Sequence, residues 1–266
     1  MKTLMLLLLL STISFARVLP DSVLGLTVLV EFPDRPATID REIIDSAMNG
    51  SNFTEYGNYG SVYQYYRDAS LGKLHYKNIV TDYIMMDNSF SYYNKYADAG
   101  STYDTVLVRD VLEKLNELEI DFTKLTTGND TAVAVNVLYP SKISVYSSNY
   151  SLLPTLWPHT GTFQGNAVYQ GVQFKRFQIS NTGDELSVGT MIHENGHMLF
   201  GWEDLYSQED MEHSYGIGNS GVMCDFDSFH PIFPNPYYRF LAGWIDTVDI
   251  TGVPYGSEYT LYPNDS

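Results

Sequence analysis

The chain has 266 residues, 44% hydrophobic and 18% charged, which is enough for one large globular domain with a sizeable core and excludes a disordered chain. Its 15 basic and 32 acidic residues give a formal net charge of −17, with no Lys/Arg cluster anywhere. A nucleic-acid binder displaces counterions with a basic patch, so that class is excluded, and the acidity reads as solubility.

Lys2 opens the chain, followed by an apolar run from Leu4 to Leu10 that continues through Ile13 and Phe15 beside the small residues Ser14 and Ala16. This is the pattern of a secretory signal peptide over residues 1–16. It is too short to span a bilayer, so the sequence predicts a secreted, extracellular protein without a stable membrane anchor. Cys224 is the sole cysteine, so no internal disulfide forms even on an oxidising route. Sequons at Asn49, Asn52, Asn129, Asn149 and Asn264 matter only in a host that glycosylates. No D-x-[DN]-x-[DN]-G loop is present, so calcium binding has no motif behind it.

Val23 to Phe32 is an apolar, β-branched run ended by Pro33-Asp34 and reads as a buried strand. Ile39 to Met48 reads as a short helix capped near Asp40. Ser61 to Ala69 has helical spacing of Val62, Tyr65, Tyr66 and Ala69, with Ser61 as N-cap. Leu74 to Tyr83 reads as a strand. Thr105 to Leu118 is an amphipathic helix with Val108, Val111, Leu112, Leu115 and Leu118 on one face. Thr131 to Tyr139 is a second buried strand, and Val172 to Ile179 alternates like an edge or near-edge strand. Asp184 to Phe200 is the next helix, stopped by Gly201. Beyond it the chain is rich in Gly, Pro, Asp and aromatics, with little regular structure until Pro236 to Trp244.

Within the helix that ends at Gly201 stands His193-Glu194-Asn195-Gly196-His197. Histidines four residues apart on a helix share one face, one turn apart, and two such imidazoles can hold a tetrahedral Zn2+ ion. Glu194 stands beside the first histidine, placed to take a proton from a zinc-bound water whose pKa the metal lowers. A catalytic zinc takes a third protein ligand. Asp204 is the expected one, with Glu203 equally near and Asp225, Asp227, His213 and His230 further on. Cys224 reads as either a buried inert thiol or a thiolate able to ligate the metal.

Further segments carry a resemblance. Val30-Glu31-Phe32-Pro33-Asp34, Gly60-Ser61-Val62 through Tyr65-Tyr66, Ser70 to Leu74 (SLGKL), Ile120-Asp121-Phe122, Leu156-Trp157-Pro158-His159, His193 to Tyr206 (HENGHMLFGWEDLY), Gly216 to Met223 (GIGNSGVM) and Leu241-Ala242-Gly243-Trp244 follow one another along residues 24 to 246. In order and content they resemble the immune inhibitor A-like secreted zinc metalloproteases. The resemblance implies an α+β, zincin-type fold: a twisted mixed sheet with two main helices in an upper lobe, and an irregular lower lobe. It puts Met223 in a methionine-containing turn beneath the zinc. Relative to the family, one extra residue separates His197 from Gly201-x-x-Asp204, and the tryptophan before Met223 is absent.

The chain therefore reads as a signal peptide, residues 1–16, and a metalloprotease catalytic domain, residues 17–250, with lobes of about 17–200 and 201–250. Residues 251–266 form a tail that reads as the start of a truncated β-domain. The expected function is a zinc metalloendopeptidase acting on extracellular proteins and peptides, with Glu194 as catalytic residue and His193, His197 and Asp204 as metal ligands. The alternative is a catalytically inactive secreted binding protein on the same scaffold. His159 reads either as an oxyanion stabiliser or as a hydrogen-bonded structural residue beside Trp157, and Tyr206 and Tyr215 are further groups within conceivable reach of a transition state.

Overall fold

The structure, a computed structural model, describes residues 18–95, 106–118, 120–127, 129–141, 156–165, 167–206, 216–224, 227–247, 253, 254, 256–258 and 260. The signal-peptide stretch, His213, Tyr215, Asp225 and most of the tail lie outside the described residues.

Its centre is a mixed sheet of five strands: β1 (Ser22–Glu31), β2 (His75–Met85), β4 (Val135–Tyr139), β5 (His159–Thr162) and β8 (Arg176–Asn181), in the order β2-β1-β4-β8-β5. β1 runs parallel to β2 and β4, and β4 parallel to β8, while β5 closes one edge antiparallel to β8. A smaller sheet joins β3 (Thr131–Ala132), β7 (Val172–Phe174) and β6 (Val168–Tyr169) in that order. The architecture is α+β, as the sequence predicts.

Two expected strands are each broken. The run from Thr131 to Tyr139 and the run from Val172 to Ile179 start side by side in the small sheet and cross together into the large one. Lys175 is the hinge of the second, its carbonyl accepting from Phe163 N–H at 3.0 Å. At each break the residues facing the α4 side change parity, from Ala132 to Val135 and from Phe174 to Phe177, so an unbroken apolar run hides a one-residue shift that the hydrogen bonding reveals.

Helices cover both faces of the sheet. α4 (Val106–Glu117) buries Leu107, Val108, Val111, Leu112 and Leu115, although Leu118, expected on the same face, is exposed. It packs in one cluster with Leu26, Val28, Val30, Val135, Val137, Phe177 and Ile179. A shorter helix, α3 (Phe90–Lys95), contributes Phe90 and Tyr93 to that cluster. On the other face lie α1 (Arg41–Asn49), α2 (Val62–Ala69) and α5 (Val188–Asn195). The Ser61 hydroxyl caps α2, accepting from Gln64 N–H at 3.0 Å, as the sequence predicts.

α5 begins four residues later than Asp184. Asn58, far away in sequence, decides this. Its side-chain oxygen accepts from Val188 N–H at 3.0 Å and its amide donates to Leu186 O at 2.7 Å, supplying the cap from another segment. The last helix, α6 (Pro236–Leu241), carries Pro at its first position and is capped by Asn235. Residues beyond Gly201 join the core of the first segment: Trp202, Val222, Met223, Tyr238 and Trp244 pack in one cluster with α2 and α5. Among the described residues no helix is long and apolar enough to cross a membrane.

Candidate metal centre

α5 is fastened to the sheet by polar side chains where apolar ones would ordinarily lie. Thr27, Asn78, Asn136, Gln178 and Ser180 are buried on the sheet face that α5 covers. Asn136 is the hub. Its amide donates to Asn78 Oδ1 at 3.0 Å and to the Tyr76 hydroxyl at 3.1 Å, and its oxygen accepts from Gln178 Nε2 and from Asn195 Nδ2, each at 3.0 Å. Tyr76 donates in turn to Asn195 Oδ1 at 2.8 Å. Asn195, the middle residue of the pentapeptide, is thus held through both ends of its amide. Burial pushes the Tyr76 phenol up to about 12, hydrogen bonds from Asn136 and Asn78 opposing it, so Tyr76 remains a donor at ordinary pH. Tyr66 of α2 adds a second tie, donating to Ile192 O at 2.7 Å.

Past Asn195 the helix changes character. Gly196–Phe200 form a π turn that ends at Gly201, whose φ of 71° is the left-handed conformation glycine favours. The Gly201 N–H reaches back to Gly196 O, and Arg176 of β8 donates to the carbonyls of His197 at 3.2 Å and Met198 at 3.3 Å. A π turn holds one residue more than an α turn. It carries the chain from His197 to Gly201, and Asp204 comes back over the two histidines.

Three atoms converge there. His193 Nε2 and His197 Nε2 lie 3.1 Å apart, and Asp204 Oδ1 lies 3.1 and 3.2 Å from them. Each imidazole is oriented from behind: His193 Nδ1 bonds to Val222 O at 2.8 Å and His197 Nδ1 to Trp202 O. A carbonyl only accepts, so both Nδ1 atoms carry the proton and both Nε2 lone pairs face Asp204 Oδ1. Three lone-pair atoms at these distances repel unless a proton or a metal ion sits among them. Among the described residues this is the cluster able to hold a metal ion.

Residues 221–224 brace the site from below. Val222 O takes the His193 ring, Met223 O accepts from Leu205 N–H at 2.7 Å, and the Met223 sulfur lies against Gly196. A Cβ on Gly196 would come within 2.7 Å of that sulfur and 3.0 Å of the Trp202 ring. Gly196→Ala is therefore expected to destabilise by about 1–3 kcal/mol, read as a lower urea midpoint, because a methyl forced into a packed core displaces its neighbours.

Glu194 is buried on the same helix. Thr160 of β5 donates toward it, with Oγ1 at 2.7 Å from Glu194 O and 3.1 Å from Oε2. A cleft of about 400 Å³ opens beside the triad, lined by His197, Trp202, Glu203, Asp204 and Tyr206. The Tyr206 phenol is raised by burial and by its bond to the Asp204 carboxylate, so it stays a donor to that ligand.

The remaining candidates are placed elsewhere. Glu203 is exposed on the cleft wall, its backbone bonded to the Tyr238 hydroxyl. Asp227 and His230 pair with each other at 3.1 Å on an exposed turn, away from the triad. Cys224 is buried and is not a member of the metal-holding cluster. His159 Nδ1 bonds to Trp157 O at 2.9 Å and its ring packs on Trp157 and Phe177, while its buried Nε2 has no hydrogen-bond partner among the described residues, an arrangement compatible with both of its readings. Sequence reading missed Thr160, Val222, Arg176 and the Asn136 hub; a run of single polar residues at buried strand positions is the signal that could have found the last.

Electrostatics gives a test. Burial pushes the Asp204 carboxyl up, but hydrogen bonds and charges from His193 and His197 outweigh it and hold it well below its ordinary 3.8. Burial pulls His193 down, but the Asp204 hydrogen bond and the Glu194 charge lift it above 6.5. The carboxylate's contribution is complete above pH 3.8 and lost as pH falls through its depressed value; the imidazole's is complete below pH 6.5 and lost as pH rises through its raised value. After chelation, the triad should stabilise most between those limits, and Tm should fall as pH rises above 6.5. With metal added the slope should reverse, because metal competes with protons for the same atoms. Scanning calorimetry with and without chelator checks both signs.

No protein-family model matches the chain, and no curated protein matches it.

Proposed function

We propose that the protein is a secreted zinc metalloendopeptidase that hydrolyses peptide bonds in extracellular proteins. The observation that carries this reading is the triangle of His193 Nε2, His197 Nε2 and Asp204 Oδ1, with edges of 3.1–3.2 Å and both imidazole tautomers set by backbone carbonyls. Zinc–nitrogen and zinc–oxygen bonds of about 2.0–2.2 Å at tetrahedral angles would put ligand atoms roughly 3.3–3.5 Å apart, so His193, His197 and Asp204 would hold this ion after a small outward adjustment. The two-nitrogen, one-oxygen donor set also suits zinc better than calcium, which takes six or more oxygens. Bound there, zinc would polarise a peptide carbonyl and acidify a water molecule.

The chain's own residues would do the rest. Glu194 Oε2 is engaged by Thr160, which leaves Oε1 to accept a proton from the attacking water and return it to the leaving amine. The cleft walled by Trp202, Glu203 and Tyr206 would hold the polypeptide beside it. Support for a zincin-type fold comes from the five-stranded sheet with its antiparallel edge strand and the histidine-bearing helix packed on one face. Ordered resemblance to immune inhibitor A-like proteases supports the peptidase reading, and the signal-peptide pattern of residues 1–16 supports export.

The test is cleavage of casein or another unfolded protein by the purified chain. Expected are about one zinc per chain, loss of cleavage on chelation and recovery on adding zinc. Stoichiometric zinc without cleavage would favour the inactive binding scaffold instead, and absence of metal binding would overturn both.

A further inference from the structure

We propose that Thr160 is a positioning residue for Glu194, holding its carboxylate in one place from the edge strand; the proposal rests on the peptidase reading above. The sequence pattern of the zinc pentapeptide does not include this residue, and the two lie 34 positions apart.

Glu194 is buried, and a buried carboxylate demands a hydrogen-bond donor. Among the described residues the donor to its side chain is Thr160. The strand that supplies Thr160 is itself closely held. β5 pairs antiparallel with β8 in a register that sets Thr160 opposite Gln178 and Gly161 opposite Phe177. Gly161 has no alternative there, since a Cβ would lie 2.4 Å from the Phe177 ring. Gln178 is fixed by its bond to Asn136. Successive strand residues face opposite sides, so His159 and Gly161 point to the Phe177 side and Thr160 toward α5. The hydroxyl therefore arrives at Glu194 on the same rigid sheet that holds Asn195.

One hydroxyl faces two acceptors of the same residue, the backbone oxygen at 2.7 Å and Oε2 at 3.1 Å. It has one proton to give and two lone pairs to receive. While Glu194 is a carboxylate, Thr160 donates toward Oε2. Oε2 is an acceptor whether or not Oε1 carries a proton, so the same hydroxyl contact serves both forms of the side chain. The carboxyl group thus keeps one orientation across the transfer, with Oε1 toward the cleft. A valine, of the same shape, would supply neither contact.

The experiment compares wild type, T160V, T160A and T160S. Zinc-loaded crystal structures should show the Glu194 carboxylate in one orientation in wild type and T160S, and rotated or in several orientations in T160V. Kinetics should show kcat about ten- to a hundredfold lower in T160V, the value of a hydrogen bond to a charged group, with KM and zinc affinity little changed. T160S should recover kcat to within about threefold. T160A carries the same comparison should T160V fail to fold. An unmoved carboxylate, an undiminished kcat, or a T160S as slow as T160V overturns the assignment. A wild-type protein that binds zinc without cleaving would defeat the peptidase reading, while the carboxylate orientation would still decide for or against Thr160.

Discussion

Glu194→Gln should lower kcat/KM for an unfolded protein substrate by about 10²- to 10⁴-fold, the usual weight of a positioned general base, while zinc stoichiometry and Tm stay at wild-type values. The separation of these effects follows from the local geometry. Glutamine has the same shape, and its side-chain oxygen can still accept from Thr160 Oγ1, so the buried site loses no hydrogen bond. Neither is Glu194 a member of the converging triad, which keeps all three of its donor atoms. What glutamine cannot do is take a proton and hand it on. His193→Ala and Asp204→Ala make the contrast, since each removes a corner of the triangle and should lose metal together with activity. Zinc content by atomic spectroscopy beside the cleavage rate distinguishes the two classes; unaltered activity in Glu194→Gln would refute the mechanism.

Asn136→Leu should cost about 2–6 kcal/mol in urea denaturation with little change in m. The substitution strands Gln178 Nε2 and one hydrogen of Asn195 Nδ2 in a dry interior and takes a donor from the Tyr76 hydroxyl. Each abandoned group carries a desolvation penalty of roughly 1–3 kcal/mol, and against a net stability of about 5–15 kcal/mol that is a large fraction. Asn195→Leu should cost less in the Asn136→Leu background than alone, because the bond between the two amides is already gone even though Tyr76 loses its acceptor in either case, and a double-mutant cycle reads the coupling directly. Additive losses would mean that Asn136 and Asn195 do not act as one unit.

Much of the α+β character was legible because it rests on local pattern. The Ser61 cap, the stripe of α4 and the stop at Gly201 are each decided within a few residues. The histidines and Glu194 were legible for the same reason, since one helical turn is local geometry. What escaped depends on distant partners. The start of α5 is set by Asn58, and the π turn is held by Arg176 and bounded by Met223. Thr27, Asn78, Asn136 and Gln178 sit singly in four separate segments, and only the register across β1, β2, β4 and β8 lines them up. The side to which His159 and Thr160 point depends in the same way on pairing with β8. Asp204 was reachable as one of two acids just past Gly201, but its arrival at the histidines depends on the π turn that leads from His197 to Gly201.

The anchoring of α5 also sets how the site breathes. Side-chain amides tie Asn195 into the sheet, and Tyr66 ties Ile192 to α2. Amide protons of α5 should therefore exchange with deuterium only in openings that involve the sheet as well. The segment from Trp202 to Leu205 is held by the buried Trp202 ring, by Tyr238 at Glu203 and by Met223 O at the Leu205 N–H, none of them a sheet hydrogen bond, so its protons should exchange through openings that leave the sheet intact. The histidine corners would then persist while the aspartate corner comes and goes, so one side of the triangle serves as its fixed edge and the other as its door.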